Sequence, residues 1–391
     1  MNRRDFLKTG MAGIAFLSLK TLGCSSGSDN YVGTEFELTI GAGLFEMVDG
    51  QKVFMWSFED QQGVPRMPGP VIQVKEGDPV RIHVHNTLQE NHAFAVLGVA
   101  GTSTGEIKPG NSTYVTFTAP PAGTYLYADP LNSPVNRVLG LHGAMIVTPK
   151  TGNTPYSSPS AAVQQLFNDL GTTPQFPKNA KFPAGWQRDR DRIWLMNQID
   201  PRFTAQAQAD FQAGRSSRVS AADIKANFLP RYFTINGKSG AFASHDPDIT
   251  IEGLIGQPML VRILNAGLFT HSNHLHANHF YVTAENGTVR DNVFFLDSYH
   301  IFPEDRVDWL VPFVRPPDIA GDQSIQLRDL IPEELALVLG DVPQSPLGYP
   351  MHCHMEPSQT AAGGNYPQGV VTHFDFLGDV DGVEFPHSTG M

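Results

Sequence analysis

Met351-His352-Cys353-His354-Met355 and, upstream of it, His271-Ser272-Asn273-His274-Leu275-His276 decide how the rest of this chain is read. Successive side chains on an extended strand point to opposite faces, so His352 and His354 share one face while Cys353 points through to the other. His274 and His276 are again two apart and share a face, and the odd offset of His271 lets it lie on the opposite side, as Cys353 does. One strand pair then offers two metal environments. A thiolate with an imidazole suits copper, and imidazoles alone suit copper or zinc.

Working outward, the whole composition favours extended structure. The 391 residues include 37 Gly and 30 Pro, with frequent Val, Thr and Phe and few long amphipathic stretches, which reads as a mostly β chain. A mass of 42.8 kDa accommodates two domains of common size plus a leader. The formal charge of -12 argues against nucleic acid as a partner, because that backbone must be met by clustered Lys and Arg. Only Cys24 and Cys353 carry thiols, so no disulfide framework is available. A lone cysteine between two histidines is more economically a metal ligand than a packing residue.

His-x-x-His-x-His followed by His-Cys-His resembles the C-terminal copper-binding signature of the multicopper oxidases. That resemblance implies copper as cofactor, with Cys353 and His271 at a mononuclear type 1 site and His274, His276, His352 and His354 at a trinuclear, oxygen-reducing cluster. It also implies an all-β fold of two cupredoxin-like Greek-key β-sandwich domains with a helical connecting insertion. Residues 34–150 form the expected N-terminal domain, where the stretch from Pro68 to Asn86 and the later Gly140-Leu-His-Gly-Ala-Met-Ile-Val147 resemble the family's pattern. Residues 151–190 read as a helical and Pro-rich linker, and residues 191–385 as the C-terminal copper-binding domain. In the linker, Ser158-Pro159 is expected to cap a helix over 161–170, and 172–185 to be extended. In the second domain 204–213, 221–227 and 332–339 are expected to be helical.

Departures from the family pattern carry as much information. Where the family places two His-x-His pairs in the first domain, this chain has His92-Ala93-Phe94 and Ala128-Asp129-Pro130. Where a histidine normally follows the cysteine by five residues, it has Ser358. Met351, Met355, Glu356 and His373 are the candidates for that gap. His83, His85 and His142 lack a partner motif and read as packed or surface residues, and His279, of opposite parity to His274 and His276, reads as facing solvent or backing the site. Tyr366 and its neighbouring glycines fit a shaped loop at a substrate edge.

The leader, residues 1–30, opens with Arg3-Arg4-Asp5-Phe6-Leu7-Lys8 before an apolar run, and closely resembles a twin-arginine export signal. Thr21-Leu22-Gly23-Cys24 resembles a lipoprotein cleavage site with Leu22 off its usual position, so lipidation at Cys24 and simple cleavage are both open. Together these imply a periplasmic or other extracytoplasmic oxidoreductase, membrane-anchored if Cys24 is lipidated. Its partners would be a small reductant or a metal ion, with dioxygen as acceptor, and a second copy of the chain would complete the cluster. The alternatives are a non-enzymatic copper-binding or electron-transfer protein, and a metal-free scaffold.

Overall fold

The computed structural model describes residues 8–17, 31–170, 186, 188–314 and 347–378. Cys24, the 172–185 stretch and the 332–339 helix all lie outside the described residues.

Alternating apolar positions build two sandwiches. In the first, one sheet orders Lys8–Thr9, Thr34–Glu46, Pro79–Asn86 and Ser112–Thr118, with Lys52–Glu59 also paired to Thr34–Glu46; the other orders Gly69–Lys75, His142–Thr148, Gly123–Ala128 and Ala95–Val96. Phe36, Leu38, Ile40, Trp56, Ile82 and Val84 meet Ile72, Tyr127, Met145 and Val147 between the sheets. In the second, Tyr232–Ile235, Asp191–Ile199, Met259–Asn265, Arg306–Val311, Phe280–Glu285 and Thr288–Leu296 face a sheet of Ile251–Leu254, Val371–Gly378, Leu347–Cys353, His271–Leu275 and Ser298–Ile301. Trp194, Trp309 and Phe280 fill that core, with Phe280 stacked on Trp309.

Two inner sheets pack against each other, so the molecule is four sheets deep. Val71, Leu126, Ala144 and Ile146 of the first sandwich bury against Ile193, Leu195, Leu264 and Ala266 of the second. A buried polar bridge spans the same seam. Thr124 donates to Asp308 Oδ1 at 2.7 Å, Tyr156 donates to Asp308 Oδ2 at 2.9 Å, and Arg262 reaches Asp191 at 2.8 Å. Burial pushes the Asp308 carboxyl up, against the pull of Arg262.

Helix boundaries differ from the sequence expectation for local reasons. The linker helix is Ala161–Asp169, and its cap is Ser160 rather than Ser158, because the Ser160 hydroxyl accepts the Val163 N–H. The next helix starts earlier than expected, as Pro201–Gln212: Asp200 caps it, and Pro201 occupies the first helical position, where a missing N–H costs nothing. Ala221–Asn227 forms as expected, capped by Ser220. Phe203, Ala207 and Ile224 of this helical insertion bury in the core of the first sandwich. Each large side chain so buried stabilises by roughly 1.5–3 kcal/mol.

The described part of the leader runs along the first sandwich. Lys8 and Thr9 pair in parallel with Gly43 and Leu44, Met11 and Ala12 with Arg66 and Met67, and Leu17 is buried in the core. Among the described residues no helix is long and apolar enough to cross a membrane.

Candidate metal centre

Strands Leu347–Cys353 and His271–Leu275 lie antiparallel, with Cys353 opposite Asn273, His352 opposite His274 and Met351 opposite Leu275. Side-chain alternation then sorts the residues. Met351, Cys353 and Leu275 point into the second core, and His274, His276, His352 and His354 gather on the outer face.

On the outer face the four rings are within 4.7 to 5.7 Å of one another in five pairs. The Nε2 atoms of His276 and His352 are 3.1 Å apart. Nδ1 of His274 donates to the Asp297 carbonyl at 3.0 Å, which leaves its Nε2 with a lone pair. Burial, then the neighbouring rings, push His352 down to about 4, and the same causes lower His276. These imidazoles are therefore neutral at pH 7, the form in which histidine binds metal. The exposed Tyr366 ring stands 5.1 Å from His352.

On the inner face Cys353 and His271 are both buried, with Sγ 3.5 Å from His271 Nδ1. Sγ accepts the Ser272 N–H at 3.2 Å. Burial pushes the thiol up, while Ser358 and the Met355 and Ser272 amides favour its ionised form. Ser358 thus lies beside the thiol, and its single hydroxyl proton goes to the Met355 carbonyl at 2.7 Å. Met355 packs partly buried against the same core, and Met351 is fully buried in it. His373 sits opposite Pro350 and beside His245, on the outer side of the sheet, and Glu356 is exposed.

The loop before His271 is held from three directions that no local sequence signal announces. From the strand Asp191–Ile199, Gln198 Oε1 accepts the Leu268 N–H at 2.6 Å and the Phe269 N–H at 3.1 Å, and its Nε2 lies 2.7 Å from His271 Nε2. Asn265 donates to the carbonyls of Phe269 and Ile301. Arg137 crosses from the first sandwich to the Ala266 and Gly267 carbonyls at 2.7 and 3.0 Å. A Cβ at Gly267 would come to 2.0 Å from Gln198 Oε1, so any larger residue there would displace the amide from this position.

These donors fit copper by atom type and spacing. Thiolate sulfur with imidazole nitrogen is a copper donor set. Separations of 3.5 Å for Cys353–His271 and 3.1 Å for His276–His352 suit two atoms sharing one ion at bonds of ~2.0–2.3 Å. The rings crowd together, yet among the described residues no three His, Cys, Asp or Glu side chains form a complete cage. The chain offers donors in pairs.

In the first sandwich the corresponding positions are closed by hydrogen bonds. Buried His92 donates from Nδ1 to Asp129 Oδ2 at 2.6 Å, and Asn136 donates to the same oxygen at 2.8 Å. His142 is also buried, donating from Nδ1 to the Arg137 carbonyl at 2.8 Å. His83 packs on Tyr114, His85 pairs with Ser112, and His279 lies exposed against Phe295. None of these joins the four-histidine face.

Residues 63–152 match a family described as multicopper oxidase. A multicopper oxidase of Talaromyces pinophilus is 34% identical over 125 residues, which is 29% of this chain and 20% of that protein. A copper-containing nitrite reductase of Rhizobium meliloti is 23% identical over 206 residues, half of this chain and 47% of that protein. The chain thus matches between a fifth and about half of the length of these curated relatives. Among solved structures, the blue copper oxidase of Nitrosomonas europaea superposes with a TM-score of 0.62 at 19% identity, covering 88% of this chain and 85% of that one.

Proposed function

We propose that this chain is an exported, copper-dependent oxidoreductase of the multicopper oxidase family that draws electrons from a reductant near Cys353 and passes them to a centre that His274, His276, His352 and His354 would hold. The carrying observation is the alternation on one strand: Cys353 faces inward beside His271, while His352 and His354, its covalent neighbours, face the outer imidazoles. Copper in these two places supplies one-electron redox chemistry. The chain supplies the rest. His271 and Cys353, both buried, would hold one ion, with Ser358 and Met355 near the thiol in place of a second imidazole. The outer histidines would hold the other ions, and Asp297 orients the His274 ring. Tyr366 shapes the approach to His352. The reductant would be a small molecule or a metal ion, and dioxygen the acceptor. The arginine pair and apolar run of the leader support placement outside the cytoplasm, with Cys24 as the point of a lipid anchor or of cleavage.

Complete oxygen reduction needs more donors than the outer face supplies. Ala128 and Pro130 offer none, and a second copy of the chain would have to bring them from another face, which makes a homo-oligomer part of this proposal. The same shortage favours one rival, a copper carrier without turnover.

Copper content, visible absorption, paramagnetic resonance and oxygen uptake on a phenol or a metal ion test these readings, with Cys353→Ser as control. Several coppers per chain, with oxygen consumption lost in Cys353→Ser, support the oxidase. About one copper that cycles without turnover supports the carrier, and no retained copper after loading ends both.

A further inference from the structure

We propose that Gln198 fixes the tautomer of His271 and so controls how readily the Cys353–His271 pair takes an ion; the statement about ion uptake rests on the copper reading above, and the tautomer does not. The orientation of the Gln198 amide is set by its surroundings. Oε1 lies 2.6 Å from the Leu268 nitrogen and 3.1 Å from the Phe269 nitrogen, both N–H donors, and the amide turned over would aim its own N–H groups at them. Gly267, with no side chain, lets the oxygen sit this close. The amide nitrogen therefore faces His271 Nε2 at 2.7 Å, and an amide NH2 can only donate.

His271 Nε2 must accept that bond, so the proton of the neutral ring is on Nδ1. Nδ1 faces Cys353 Sγ at 3.5 Å, and the metal-free pair is an N–H pointing at sulfur. An ion shared by these two atoms needs the Nδ1 lone pair. On binding, the thiol proton leaves to solvent and the ring proton moves from Nδ1 to Nε2. There it opposes the Gln198 N–H, unless the amide turns and gives up Leu268 and Phe269. Gln198 is thus a positioning residue that favours the metal-free pair. The loop it braces is the one Arg137 grips from the first sandwich.

A carboxylate reverses this bias while keeping the brace. In Gln198→Glu one oxygen accepts the two backbone N–H groups and the other accepts Nε2–H, which frees Nδ1. Histidine-labelled metal-free protein, read by long-range nitrogen-15 correlation, is expected to show His271 protonated at Nδ1 in the wild type and at Nε2 in Gln198→Glu. Titration with copper(II), followed by thiolate-to-copper absorption, is expected to show affinity at Cys353 about tenfold higher in Gln198→Glu and about tenfold lower in Gln198→Leu. A wild-type His271 protonated at Nε2, or a Gln198→Glu variant with unchanged tautomer and affinity, overturns the inference. If the tautomers are as stated but no variant takes up copper, the tautomer assignment stands and the copper reading fails.

Discussion

The two sandwiches end an inner strand in the same way and then diverge. In the first, Asp129 follows the strand Gly123–Ala128, a short helix returns Asn136, and a buried histidine, His92, meets the carboxylate. In the second, Cys353 ends the strand Leu347–Cys353, a short turn of helix returns Ser358, and buried His271 meets the thiol. A contact of 2.6 Å between nitrogen and carboxylate is a hydrogen bond with no room between its atoms, whereas 3.5 Å between nitrogen and sulfur leaves space for a third atom once their protons are displaced. The first cluster satisfies itself and serves stability. The second is held in place by its neighbours, Gln198 and Ser272, and keeps a thiol and an imidazole apart that a change of tautomer can turn toward one ion.

That contrast can be broken most sharply at Asp129. Asp129→Ala strands the buried donors of His92 and Asn136 and is expected to cost about 3–5 kcal/mol in urea unfolding; a loss under about 1 kcal/mol would mean that the first cluster is no lock. Acid probes the same sandwich through His142, which burial pushes down to about 4 from an ordinary value near 6.5. Its folded form binds the proton less readily than the unfolded chain does. Stability from this residue is therefore present above pH 6.5 and lost as pH falls toward 4, by at most about 3 kcal/mol. His142→Gln should flatten that limb of the stability–pH curve, and an unchanged slope would assign it elsewhere. In metal-free protein Cys353→Ala should cost less, about 1–2 kcal/mol, because sulfur is only a weak acceptor for the Ser272 N–H and the His271 Nδ1–H that it leaves behind. Copper in excess should then stabilise the wild type more than this variant, and equal gains would place the ion away from the thiol. The smallest effect belongs to Glu304→Gln: half-exposed Glu304 pairs with Arg137 at 2.9 Å, and its loss should cost under about 1 kcal/mol.

Much of this was legible where the chain's period carries the information. Alternation alone separates Cys353 from His352 and His354, and turn residues with β-rich runs predict the sandwiches. Ser358 was visible as a departure, and it lies beside the thiol. Cap positions are less legible: the sequence points to Ser158-Pro159, and only the backbone reveals that Ser160 reaches Val163. Asp200-Pro201 was a readable cap and first turn that the apolar pattern alone does not find. Gln198 and Arg137 were out of reach, because their partners lie far along the chain and meet them only through strand pairing and sandwich packing. The hydrogen-bonded substitute at Asp129 was likewise hidden, since a missing histidine does not say what replaces it.

A strand that turns sulfur to one side and imidazoles to the other acts as a septum. An electron needs only the peptide between Cys353 and its neighbours to pass from one face to the other. Under the copper reading, the sulfur side and the imidazole side would be joined by a covalent route one peptide long and parted, for anything but an electron, by the thickness of one backbone.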